Sequence, residues 1–306
     1  RMYNYTPNSI AQSLKTRLTR NIGIIIPNVV DEFFTKVLCG IEKQAKRRNY
    51  ELILSMSHDS IRNEDQAITS FIAGRVDGLL MSLSKEAQTK SFFSHIQRVI
   101  DCQFPLVMFD RICDDISCDK IIIDDFTAAY EATRSLFSKG CKKIAFLSTI
   151  SDTSVGHQRM QGYATAVMAI KGNDAKPYVI DIDSYENFEP LFNLFIANNG
   201  GDFDGILAAD QLSAVNTMNI LKHKGYSIPQ EIMIIGFTDG LMAKFHQPSL
   251  SVVRQNAEKM GEAAAKALIN RIEKTTNRRP ICKTIKTELI ERGSTSNSKT
   301  YNLMAQ

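Results

Sequence analysis

Two hydrophobic rhythms alternate along this chain. Short runs of consecutive apolar residues predict strands at 22–27, 51–56, 78–82, 106–110, 121–124, 143–148, 179–182, 205–209 and 232–237. Between them, apolar residues recur every three or four positions and predict helices at 34–49, 62–73, 85–100, 127–139, 157–171, 187–198, 211–224 and 257–274. The strands are apolar throughout rather than alternating, which suits parallel sheets covered on both faces by helices. The rhythm runs twice, over about 22–124 and about 143–237, and then stops. After Pro248 come one helix, a mixed segment at 281–292 and a polar tail expected to fray. One sheet of nine or more strands would satisfy this pattern. Two sheets of similar topology, hinged together, suit the length better. Ligands of such sheets sit beyond the C-terminal strand ends, where loops converge.

A length of 306 residues fits two domains of ordinary size, and 43% hydrophobic with 23% charged residues is the composition of a globular protein. No apolar run approaches the ~20 residues of a membrane span, and no signal peptide opens the chain. A start at Arg1 suggests a fragment. The six cysteines form no CxxC pair and no zinc-spaced series with histidine. They are expected as small hydrophobes in a reducing cytoplasm, with no metal and no cofactor.

Charge is distributed unevenly. Arg1, Lys15, Arg17 and Arg20 are the only charges before Asp31, and removing these four from 37 cations leaves 33 against 33 acids. A neutral body with a basic arm suits a polyanion partner. Thr6 can cap a helix, Pro7 fits its first position, and Ile10, Ala11 and Leu14 then share a face. The duller reading is a solvated tail.

Enzyme motifs are missing. There is no G-x-S-x-G, P-loop or G-x-G-x-x-G, and the first strand runs straight into Pro27-Asn28, which cannot wrap a pyrophosphate. No two histidines stand at i, i+4 spacing.

Several segments, taken in order, resemble the LacI/GalR family of transcription repressors. YTPNSIAQSL is similar to that family's hinge helix, and NIGIIIPNVVDEFF to the first strand and loop of its effector-binding core. LVMFDR, GHQRMQGYATAV, FDGILAADQLSAV, YSIPQEIMIIGFTDG and PSLSVVRQNAEKMGEAA follow in the family's order. The resemblance covers essentially all of residues 3–292. It implies an α/β fold of two similar doubly wound parallel-sheet lobes hinged around a ligand cleft, as in periplasmic binding proteins. The implied domains are a hinge helix and linker at 1–20, an N-terminal lobe at 21–123 plus about 251–280, a C-terminal lobe at 124–250 plus about 281–293, and a tail at 294–306. The family's helix-turn-helix headpiece would precede Arg1.

The resemblance also implies a homodimer on operator DNA, controlled by a small-molecule effector of carbohydrate or related type, with no membrane partner. Tyr5, Asn8, Ser9, Ala11, Leu14 and Lys15 would form the DNA-contacting hinge, with Leu14 as a wedge between base pairs. A helix this short is marginal alone and would order only with its twin and DNA. Effector binding would close the lobes and shift hinge order. The alternative is a solute-binding protein of the same architecture without a transcriptional role.

For the effector, the resemblance points to Phe33, Phe34, Asp110, Arg111, Arg159, Asp210, Asp239 and Gln255. Each has a plainer explanation. Phe33 and Phe34 can be core residues, and one of them, Phe33, is expected to line the cleft. Asp110 and Arg111 close a strand and can be a surface ion pair. Arg159, on R-x-x-G-Y in a helix's first turn, opposes the helix dipole and therefore wants another partner, either a ligand or a structural carboxylate. Asp210 is placed as an N-cap. Asp239 in GFTDG can bond its own turn. Here the chain departs from the family: Thr238 stands where many sugar-binding members carry a ligand-gripping acid, which weakens the case for an ordinary monosaccharide. Tyr185 is a second stacking ring by a looser match.

Overall fold

Both rounds of the β–α rhythm close into a six-stranded sheet. The computed structural model describes residues 18–182, 186–198, 203–275 and 279–296. The hinge residues Tyr5, Asn8, Ser9, Ala11, Leu14 and Lys15, and the ring of Tyr185, lie outside the described residues. The first round comprises β1 (Asn21–Ile26), α1 (Glu32–Lys46), β2 (Glu51–Met56), α2 (Ile61–Ile72), β3 (Leu79–Met81), α3 (Lys85–Thr89), α4 (Ser94–Asp101), β4 (Leu106–Phe109) and β5 (Asp119–Ile123). The second comprises α5 (Asp125–Ser138), β6 (Ile144–Ser148), α6 (Ser154–Lys171), β7 (Tyr178–Asp181), α7 (Phe188–Asn198), β8 (Gly205–Ala208), α8 (Gln211–His223), β9 (Met233–Phe237), α9 (Met242–Phe245) and β10 (Ser251–Arg254). Three elements finish the chain: α10 (Ala257–Ile272), β11 (Cys282–Ile285) and β12 (Glu288–Ile290).

The strand orders are β11-β5-β4-β3-β1-β2 and β12-β10-β9-β8-β6-β7. Each sheet therefore repeats one plan. The second strand of its round lies outside the first, the third to fifth follow on the other side, and a late strand finishes that edge. Strands β1 to β5 pair in parallel, as do β6 to β10, while β12 runs antiparallel to β10. Of the described residues, one compact unit takes those up to 30 and within 34–122 and 257–284, and the other takes those within 31–33, 123–256 and 285–296.

Central strands are buried on both faces, as continuous apolar runs require. In the second unit the faces separate cleanly by the two-residue period of a strand. Ala145, Leu147, Ile206, Ala208 and Ile234 pack with Phe188, Phe192, Met218 and Leu221 on one side. Ile144, Phe146, Leu207, Ile235 and Phe237 pack with Ala129, Leu136 and Tyr163 on the other. In the first unit Ile25, Leu79, Met81 and Met108 pack with Ile68, Phe71, Ile96 and Val99.

The expected uniform burial fails at the edges. On β2, Leu54 and Met56 are exposed, and on β7 so are Tyr178 and Val179, because an edge strand is covered less completely. The expected helix at 85–100 splits into α3 and α4 because Ser91 adopts a left-handed backbone (φ 49°), which interrupts the i→i−4 ladder. Strand β10 was hidden, since only Val252 and Val253 are apolar in its four residues. Its pairing with β9 puts residues 251–256 in the second unit, and β11 joins the first sheet. The return crossings thus fall near residues 256 and 284 rather than 251 and 281. Cys113, Cys118 and Cys141 are buried, and Cys39, Cys102 and Cys282 are exposed.

Candidate functional site

In the second sheet the chain winds outward from β6 in both directions, so the crevice at the C-terminal ends of β6 and β8 is the topological switch point. Thr149 directly follows β6 and Asp210 closely follows β8. The Thr149 hydroxyl donates to Asp210 Oδ2 at 3.0 Å. Asp210 also caps α8: Oδ1 accepts from the Ser213 backbone N–H at 2.8 Å, and Oδ2 from the Ser213 hydroxyl. Its capping role is thereby established, and its carboxylate stands at the crevice.

Arg159 lies beside it, buried to 3% exposure. Its Nε donates to Asp125 Oδ1 (2.7 Å), Nη1 to the Ala209 carbonyl (2.6 Å) and Nη2 to Gln255 Oε1 (2.7 Å). Its guanidinium carbon lies 4.0 Å from the centre of the Phe237 ring, a cation–π contact. Three strand ends and two helices thus converge on one side chain: Ala209 follows β8, Phe237 ends β9, Gln255 follows β10, Asp125 opens α5 and Arg159 rides on α6. The guanidinium carries five N–H groups, so two remain uncommitted by these bonds.

The expectation that Arg159 sits in a first helical turn needs correction. Thr153 caps α6 by accepting from the Gly156 N–H, and the helix starts at Ser154. Arg159 is therefore in the second turn, where the dipole is weak. What holds the cation is Asp125, a partner 34 residues away that the sequence reading missed. Burial pushes the Asp125 carboxyl above its ordinary pKa, against the opposing pull of the Arg159 charge.

The motif around Arg159 explains the placement. A Cβ on Gly162 would lie 2.2 Å from the Phe126 carbonyl oxygen, so glycine lets α6 lie against the first turn of α5, where Asp125 is. Tyr163, the next residue, donates from its phenol to the Ile144 carbonyl at 2.7 Å and accepts from the Tyr178 N–H at 2.9 Å. Burial raises its pKa strongly, which keeps it a neutral donor.

The departure at GFTDG is also built in. Thr238 donates to Gln211 Oε1 and accepts from the Gly240 N–H at 2.8 Å. Asp239 accepts from the backbone N–H of Gln255, so the loop after β9 is tied to the one after β10.

The first unit assembles its strand ends differently. Arg111 donates to Asp59 at 2.7 Å, and the same carboxylate oxygen accepts from the Lys85 N–H at 2.8 Å. The sequence allowed a surface ion pair, but Arg111 is buried, and its carboxylate partner lies 52 residues away. Asp110 has a left-handed backbone (φ 60°), and the Ser82 hydroxyl approaches it at 3.5 Å. Nearby, the fully buried Glu64 accepts from the Ser84 N–H and hydroxyl, both at 2.8 Å, and meets His95 Nε2 at 2.9 Å. A carboxylate on the apolar face of α2 was its only sequence signal. Phe33 and Phe34 are both buried, at 4% and 3% exposure, so neither presents an open ring.

Residues 133–295 match the model of the periplasmic binding protein-like domain. The chain belongs to this family. Its periplasmic binding protein-like core is shared by repressors. The chain is 28% identical over 272 residues to the ribose operon repressor of Haemophilus influenzae, spanning 88% of this chain and 80% of that protein. It is 29% identical over 315 residues to the transcriptional repressor PurR of Vibrio atlanticus, spanning 98% and 87%. In structure it resembles the transcription regulator CcpA of Lactococcus lactis, with a TM-score of 0.78, 22% identity, and 90% and 99% of the two chains covered. The resemblance to LacI/GalR regulators and the expected fold class are borne out. The relatives carry the names of transcriptional regulators rather than of enzymes or solute carriers, which favours the regulator over the solute-binding alternative. Among the described residues, no helix is long and apolar enough to cross a membrane, and no His, Cys, Asp and Glu group could hold a metal ion.

Proposed function

We propose that this protein is a cytoplasmic, homodimeric, DNA-binding repressor whose second unit senses a small polar effector through Arg159. The observation that carries the site assignment is a buried guanidinium, fixed on three sides at the strand ends of a doubly wound sheet, with two donors left. Fixed N–H groups at this place suit vicinal hydroxyls or a carboxylate. Asp210, Asp239, Gln255, Asp110, Arg111, Phe33 and Phe34 are the further candidates, and Thr149 joins them through Asp210. The name of the ribose operon repressor supports a sugar-type effector. Thr238, neutral and engaged with Gln211, argues for a ligand that needs no second carboxylate clamp. Residues 1–20 supply the operator-contacting hinge, with Leu14 as wedge. Effector occupancy and DNA affinity are linked, so each changes the other by the same factor.

Calorimetric titration with a panel of pentoses, hexoses, disaccharides and nucleobases tests this reading. One class is expected to bind, and to change operator retention in a mobility-shift assay. Arg159→Lys keeps the charge but loses the fork, and should weaken that effector at least tenfold, or about 1.4 kcal/mol. Wild-type effector affinity in a folded Arg159→Lys protein would remove Arg159 from the site.

A further inference from the structure

The arm is not the only stretch rich in unopposed cations. Residues 274–287 carry Lys274, Arg278, Arg279, Lys283 and Lys286 and no acid, and residues 43–48 carry Lys43, Lys46, Arg47 and Arg48. The fold brings parts of both runs to one edge of the first unit. Arg47 and Arg48 lie in the turn before β2, Arg75 in the turn before β3, Lys274 just past α10 and Arg279 ahead of β11. These are loops at the N-terminal strand ends, where the arm joins β1.

Hydrogen bonds fix the grouping. Arg20 and Arg48 both pair with Glu273. The Asn21 side chain donates to the Arg75 carbonyl, and the Ile281 N–H to Asp119. Asp77 accepts from the Thr19 and Arg20 N–H groups and the Thr19 hydroxyl, clamping the end of the arm to the same edge. The acids here are therefore mostly engaged: Asp77 by the arm, Glu273 by two arginines and Asp119 by Arg271, with Glu51 exposed. Arg47, Arg75, Lys274 and Arg279 are exposed and have no ion pair among the described residues. Six strands at ~4.8 Å spacing make this edge about 24 Å wide.

We propose that this edge binds backbone phosphates of the DNA duplex engaged by the arm, as a second, sequence-independent contact surface. The inference rests on the DNA-binding reading. Arg47 and Arg75 sit on short turns next to the sheet, so little ordering entropy opposes their use. Their contacts add affinity and salt dependence without reading bases.

The test is fluorescence anisotropy of the 306-residue chain with a labelled mixed-sequence duplex of about 30 base pairs, between about 50 and 200 mM KCl. The variant Arg47→Gln/Arg75→Gln/Lys274→Gln/Arg279→Gln should melt like wild type. It should bind roughly 10- to 100-fold more weakly near 0.1 M salt, with a log–log salt slope shallower by about 2 to 3.6. Two further variants make the test specific. Lys142→Gln/Lys176→Gln/Lys224→Gln/Lys244→Gln removes equal charge from the second unit and should leave the slope unchanged. Lys15→Gln/Arg17→Gln weakens the arm and should add its loss to that of the edge variant. A wild-type slope in the edge variant overturns the proposal and leaves the DNA-binding reading intact. An equal loss in the second-unit variant overturns it as a mere net-charge effect. No duplex binding by the wild-type chain overturns the edge proposal alone, because the DNA-binding reading also counts on the headpiece expected ahead of Arg1.

Discussion

The two units share a strand order but organise their C-terminal strand ends around opposite charges. In the second, a guanidinium is the hub: Arg159 gathers Asp125, the Ala209 carbonyl, Gln255 and the Phe237 ring. In the first, carboxylates are the hubs. Glu64 gathers Ser84 and His95, and Asp59 gathers Arg111 and the Lys85 N–H. The burial of the two ion pairs differs accordingly. Asp125 is 9% exposed beside Arg159, whereas Asp59 is 35% exposed beside Arg111. One plan of strands thus tolerates either sign of charge at its loops, and the partners decide how much water remains.

This contrast is open to direct attack. The largest effect is expected from Arg159→Ala, which strands the buried Asp125 and should cost about 3–5 kcal/mol in urea unfolding. Arg111→Ala leaves a carboxylate that water can reach and should cost about 1 kcal/mol or less. Equal losses would erase the distinction between the hubs. Next, Glu64→Gln sets an amide against donors that want a carboxylate, and should cost about 1–3 kcal/mol by the same measurement.

The first unit brings α1 and α10 together at Gly261, where a Cβ would lie 2.0 Å from the Val37 carbonyl oxygen. This is the counterpart of Gly162 in the second unit. Gly261→Ala and Gly162→Ala should each cost about 1–3 kcal/mol through overpacking. Only Gly162→Ala should also weaken effector binding, because it moves Asp125 and Arg159. Calorimetry with the effector separates the two. The smallest effects are at the hydroxyls. Thr149→Val removes a 3.0 Å bond to Asp210 and should cost about 1 kcal/mol, while Ser82→Ala removes only a 3.5 Å approach and should be near neutral.

Reading the chain without its fold located nine of the ten strands of the two rounds and most helices, because periodicity is a local property. It lost β10, where only two of four residues are apolar, and it joined α3 to α4, since nothing in Ser91 announces a left-handed turn. The site was half legible. Arg159, Asp210 and Gln255 were named, and the structure joins Arg159 to Gln255. Asp125, Thr149 and the Thr238–Gln211 pair were not, and Arg159 was placed one turn too early.

The sequence by itself determined the two-round architecture, the covered parallel sheets and the basic arm, and it offered Arg159 as a candidate. Tertiary structure alone decided which strand neighbours which, that Asp125 is the carboxylate holding Arg159, and that scattered cations share one edge of the first unit. The physical reason is sequence separation. Helix and strand patterns repeat within a few residues, whereas Arg159 bonds Asp125 and Gln255 across 34 and 96 residues, and Arg48 reaches Glu273 across 225. Contacts of that range exist only once the sheets have closed and brought the strand ends together.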